Sequence, residues 1–139
     1  MEVAAPFQYI VLHQSCRNHP GVLACQAAHA AGEALVDGPA PGDTHVVALV
    51  AETSTDLEAL SVALTGAGLH HVLIREPDEP YFNAATAVGT RVIEARERQA
   101  FKPLFAQFKL LRPVPPLLTR GGTERSTGAS PVGGATPPA

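Results

Sequence analysis

Two short apolar runs on either side of an alanine-rich segment constrain this chain more than any other feature. Tyr9-Ile10-Val11-Leu12 is β-prone, too short for a helix and uninterrupted enough for a buried strand. Val22 to Val36 is dominated by Ala24, Ala27, Ala28, Ala30, Ala31 and Ala34, the best helix former. Pro20 stands where a first helical turn tolerates proline, and Asp37-Gly38-Pro39 is a stop signal. His45 to Ala51 then reads as a second buried strand. Such a strand–helix–strand unit makes a right-handed crossover between parallel strands. The small helical side chains predict a close approach of helix to sheet.

The rest of the chain extends that unit. Thr55-Asp56-Leu57-Glu58 has capping-box spacing and opens a helix carrying Leu57, Leu60 and Leu64 on one face, ending at Gly66 or Gly68. A third strand is predicted over His70 to Arg75, an acidic proline-rich loop over Glu76 to Asn83, and a fourth strand from Ala84 to Ile93. A last amphipathic helical segment begins near Glu94, restarts at Pro103, and presents Leu104, Phe105, Phe108 and Leu111. The short loop before the fourth strand suits an antiparallel return. The expectation is an α/β fold: a small, mixed, four-stranded sheet flanked by helices, in one domain over 1–112.

Composition bounds the function classes. The chain has 139 residues, 45% hydrophobic and 17% charged, which suffices for one compact domain. It shows no apolar run long enough to cross a membrane and no secretory leader pattern, so a cytoplasmic protein without a membrane partner is expected. From Pro113 onward, proline, glycine and small polar residues predict a disordered tail over 113–139. Charge is divided unevenly: residues 1–90 hold ten acidic residues against Arg17 and Arg75, whereas residues 91–139 hold eight basic against three acidic. A polyanion would be drawn to the C-terminal end alone.

No phosphate-binding glycine loop, nucleophile elbow or His-Glu-x-x-His motif is present, and the spacing of Cys and His supports no metal site. Three groups of residues could carry chemistry. His13, Ser15, Arg17 and His19 lie between the first strand and helix; Gln26 and His29 lie three apart on that helix; Glu76, Asp78, Glu79 and Thr86 surround the last loop. The plainer reading of Gln26 and His29 is structural hydrogen bonding, and that of the acidic loop is an exposed turn. Cys25 reads as a small core residue, and Cys16, near His13 and His19, as a thiol that could be reactive.

The segment Gly21-Val22-Leu23-Ala24-Cys25-Gln26-Ala27-Ala28-His29-Ala30, directly after the first strand and its loop, resembles the signature of the type II peptidyl-tRNA hydrolase family. Val46-Val47-Ala48-Leu49-Val50, the Asp56-Leu57 to Gly68-Leu69 segment and Thr86-Ala87-Val88-Gly89 agree in layout, so the resemblance spans roughly 8–93. Gly21, Gln26, His29 and Thr86 match the family. Val22 stands at its lysine, His13 at its arginine, Ser15 at its aspartate, and Glu76-Pro77-Asp78 replaces its Asp-Ala-Gly loop.

The resemblance implies hydrolysis of the ester joining a peptide, or a blocked amino acid, to the terminal ribose of tRNA, with no cofactor or metal, tRNA as partner and a homodimer as an available assembly. On that reading Glu76 or Asp78 activates water, while His13, His29 and Thr86 place or polarise the ester. Arg17, His19, Gly21 and Gln26 bind substrate, with the basic C-terminal segment holding RNA. Two alternatives stand beside it: a non-catalytic RNA- or protein-binding module on the same fold, and a small-molecule hydrolase, which the lost cations would suit.

Overall fold

The computed structural model describes residues 4–112; the expected tail over 113–139 lies outside the described residues. The elements are β1 (Phe7–His13), α1 (Pro20–Glu33), β2 (His45–Ala51), α2 (Ser54–Gly66), β3 (His71–Glu76), β4 (Ala84–Thr90), α3 (Arg98–Phe105) and β5 (Lys109–Leu110). A 3₁₀ turn at Gln14–Asn18 joins β1 to α1, and another at Ala95–Glu97 precedes α3. They form one mixed five-stranded sheet in the order β3-β4-β1-β2-β5. β1 and β2 are parallel, whereas β1–β4, β3–β4 and β2–β5 are antiparallel. β1, β2 and β3 therefore run the same way, and His13, Ala51 and Glu76 end at one side of the sheet.

Alternation along β1 divides the core. Ile10 and Leu12 face α1, packing with Ala30, Ile74 and Ala87. Tyr9 and Val11 face α2 and α3, packing with Leu57, Leu60, Leu64, Val88 and Phe105, and the Tyr9 and Phe105 rings stack at 4.1 Å. The close approach expected of the alanine-rich helix is present: a Cβ on Gly89 of β4 would lie 2.2 Å from the Ala30 carbonyl oxygen. Buried Gln8 ties the same two elements together, donating to the carbonyls of Ala31 at 2.8 Å and Thr90 at 3.0 Å.

Element ends differ from the sequence expectation for local reasons. α1 starts at Pro20 and stops at Glu33, short of Val36. α2 is capped by Thr53, not Thr55: Thr53 is extended and its hydroxyl accepts the Asp56 N–H at 3.0 Å. Glu58, expected to close the capping box, binds Arg75 at 3.1 Å instead. The exit of α2 follows a Schellman pattern, with Leu69 N–H bound to Leu64 C=O, Gly68 N–H bound to Thr65 C=O, and Gly68 at φ +75°. β4 stops at Thr90, although Ile93 still bridges to Phe7.

The sheet has five strands rather than four. The segment expected to remain helical through Leu111 leaves α3 after Phe105 and pairs Lys109 and Leu110 with Val50 and Leu49. The open outer edge of β2 offers unpaired N–H and C=O groups, and the returning chain satisfies them. Leu111 consequently packs with the Ile10–Leu12 cluster, on the opposite sheet face from Phe108.

Candidate functional site

The predicted polar residues gather where β1 and β3 end and β4 begins. His13 closes β1, and its Nδ1 accepts the backbone N–H of Ser15 at 3.1 Å. An accepting Nδ1 puts the proton of the neutral ring on Nε2. Burial lowers the His13 pKa below its usual 6.5, favouring that neutral form. Ser15 Oγ lies 2.9 Å from the same Nδ1 and 2.7 Å from the Tyr81 hydroxyl. With Nδ1 accepting, Ser15 O–H donates to the ring and Tyr81 O–H donates to Ser15.

A second network adjoins it. Thr86, almost wholly buried on β4, donates to Gln26 Oε1 at 2.8 Å, which turns the Gln26 amide N–H toward Glu76 Oε2 at 3.3 Å. Glu76 is thereby held at the end of β3. The loop that follows is folded tightly on itself: the Asp78 carbonyl accepts the N–H groups of Tyr81 and Phe82, and Asn83 N–H donates to the Glu76 carbonyl at 2.7 Å. Phe82 and Asn83 adopt φ values of +45° and +71°. That path returns Tyr81 toward the 3₁₀ turn.

Gln26, Thr86 and Glu76 therefore converge, as do His13 and Ser15. His29 stands apart from both: it pairs with Glu33 one turn along α1, and both side chains are more than half exposed. The buried stripe of α1 runs through Leu23, Gln26, Ala27, Ala30, Ala31 and Ala34, and His29 falls outside it despite its three-residue spacing from Gln26. Asp78 acts through its backbone, with its side chain exposed. His19 is the exposed N-cap residue of α1 and makes no side-chain cap bond; Gly21 lies in the first turn with open space around it. Val22, at the lysine position of the resemblance, is 41% exposed.

Arg17 enters a different surface of the same turn. Together with Lys109 and Arg112 it lines a cleft of about 840 Å³ beside β5, which also carries Glu52 and Asp56. A second cavity, about 600 Å³ and walled by Pro6, Leu35, Pro39 and Val92, contains none of the predicted site residues. Among the described residues, no group of three or more His, Cys, Asp or Glu side chains is disposed to hold a metal ion, and no helix is long and apolar enough to cross a membrane.

The cysteines exchange their expected places. Cys16 is fully buried, and burial pushes its thiol pKa up, whereas Cys25 is exposed on the outer face of α1. Sequence reasoning also missed Tyr81. Its hydroxyl meets Ser15 across 66 positions of sequence, and the only local signal was an aromatic residue in a polar loop.

The fold and the site together define a mixed α/β protein with a polar cluster at the strand ends and an adjoining cleft that carries basic side chains. A scan against protein-family models finds no match, and a search of curated proteins likewise finds none.

Proposed function

We propose that this protein hydrolyses a carboxylic ester carried on RNA, the bond between a peptide or blocked amino acid and the terminal ribose of tRNA. One observation carries the reading: the 3₁₀ turn Gln14–Asn18 serves two surfaces at once. Ser15 enters the cluster with His13 and Tyr81, and Arg17 enters the cleft with Lys109 and Arg112. Ester hydrolysis at neutral pH needs a proton acceptor beside the carbonyl and a donor for the developing oxyanion. The His13 imidazole and the Glu76 carboxylate are acceptors; the Tyr81 hydroxyl and the Gln26 amide are donors. Thr86, buried beneath Gln26, positions that amide. Arg17, Lys109 and Arg112 supply counter-charge for a phosphate chain leading to the ester, against Glu52 and Asp56 in the same cleft.

The uneven charge of the chain fits this assignment. The first ninety residues are strongly acidic, and β5 returns Lys109 and Arg112 to the side of Arg17, one of their few cations. N-acetylated aminoacyl-tRNA given to the full chain is expected to release free tRNA, and His13→Gln is expected to slow that release about a hundredfold. Absence of turnover by intact protein overturns the catalytic reading.

Val22 favours a second reading, an RNA-binding module without turnover. An exposed valine occupies the first turn of α1 where the resembling enzymes hold a lysine. Salt-sensitive tRNA affinity without ester cleavage would select it.

A further inference from the structure

We infer that Ser15 is a covalent nucleophile, with His13 as its base and Tyr81 as an oxyanion donor, so that ester cleavage passes through an acyl-Ser15. This rests on the ester-hydrolase reading and specifies its nucleophile. Three contacts carry it: Ser15 Oγ to His13 Nδ1 at 2.9 Å, Tyr81 Oη to Ser15 Oγ at 2.7 Å, and Ser15 N–H to the same Nδ1 at 3.1 Å. The first is the separation of an activated nucleophile from its base. Both side chains are partly exposed, so a carbonyl has access from solvent. The neighbouring thiol of Cys16 is sealed in the core and cannot compete.

The backbone contact is the N-cap bond of the 3₁₀ turn, and it fixes the His13 ring beside Ser15. In the resting state, the single Nδ1 lone pair accepts both the hydroxyl and the backbone N–H of Ser15. When Ser15 Oγ attacks the ester carbonyl, its proton passes to Nδ1, and the Ser15 N–H loses its acceptor. The Tyr81 O–H, released from Oγ, is then free to donate to the new oxyanion. The bond from the carbonyl carbon to the ribose oxygen breaks, and that oxygen leaves with the proton from His13. Water then attacks the acyl carbon and gives a proton to Nδ1. The acyl–Oγ bond breaks, and Ser15 recovers the proton. One ester and one water become one acid and one alcohol.

The test uses the full chain with two probes, a fluorophosphonate and N-acetylated aminoacyl-tRNA, read by intact mass and peptide mapping after an acid quench. The expected result is one phosphonyl group per chain on Ser15, its loss in Ser15→Ala, and slower labelling in His13→Gln. Turnover of the tRNA ester is expected to fall about a hundredfold or more in Ser15→Ala and about tenfold to a thousandfold in Tyr81→Phe. Ser15→Cys is expected to accumulate an acyl thioester, which also shows that a variant at this position folds. Turnover by Ser15→Ala equal to wild type, or fluorophosphonate bound elsewhere, overturns the nucleophile and leaves the hydrolase reading standing. Labelling of Ser15 without any cleavage of the tRNA ester supports the nucleophile and overturns the RNA-ester reading.

Discussion

The environment of a single side chain decides what it can do here, and neighbours in sequence differ sharply. Cys16 and Ser15 are adjacent, yet one is sealed in the core and the other reaches a histidine and a tyrosine. Iodoacetamide given to the native protein is therefore expected to alkylate Cys25 and spare Cys16, as peptide mass mapping would read; equal labelling would contradict the burial. His13 titrates below its usual 6.5 because burial disfavours the imidazolium. A reaction that needs its neutral form should gain rate as pH rises through that lowered value and level off above 6.5. A kcat/KM profile still climbing between pH 7 and 8 would exclude His13 as the base. Of the site, the sequence made His13, Gln26, Glu76 and Thr86 visible as polar residues in or beside apolar elements. Tyr81 was not visible, because a contact made by a loop across the fold leaves no periodic trace.

Elements here are located by close contacts as much as by propensity. Gly89→Ala would drive a methyl group into the Ala30 carbonyl, 2.2 Å away, and backbone cannot yield as a side-chain tip does. A loss of about 3 kcal/mol, the upper end of overpacking costs, is expected from denaturant midpoints. Gly32→Ala, in the same helix α1 but facing open space, should gain about 0.4–1 kcal/mol. The 3₁₀ turn before α3 is stapled differently, by Arg91 in a bidentate pair with Glu97 at 3.1 and 3.0 Å. Its hydrogen bonds to Arg91 hold the Glu97 carboxyl below its usual value of 4.5. The stability this supplies is complete above 4.5 and is lost as pH falls through the lower folded value. The gap in Tm between wild type and Glu97→Gln should accordingly close in acid. Propensity and apolar runs located β2 to the residue, since turns bound it on both sides. The start of α2 was displaced because Thr53, Ser54 and Thr55 are all cap formers, and only backbone conformation distinguishes them. The apolar spacing of β5 continues that of α3, so sequence alone predicts helix there.

At the scale of the whole molecule, the acidic body and its basic end are joined by sheet pairing rather than by sequence. Lys109 and Arg112 reach Arg17 only because β5 docks on β2. If the cleft holds a phosphate chain, replacing both Lys109 and Arg112 with alanine should lower the slope of log affinity for tRNA against log salt by about two, one for each lost phosphate contact. An unchanged slope would remove the cleft from the RNA path. The short pairing of β5 has a further consequence for the edge of the sheet. It closes the outer edge of β2 with a segment at the end of the described chain, and the bonds it makes, Leu111 N–H to the Ala48 carbonyl among them, are main-chain bonds that any strand can supply. Loss of this pairing would open the β2 edge to another strand and part Lys109 and Arg112 from Arg17 in the same event.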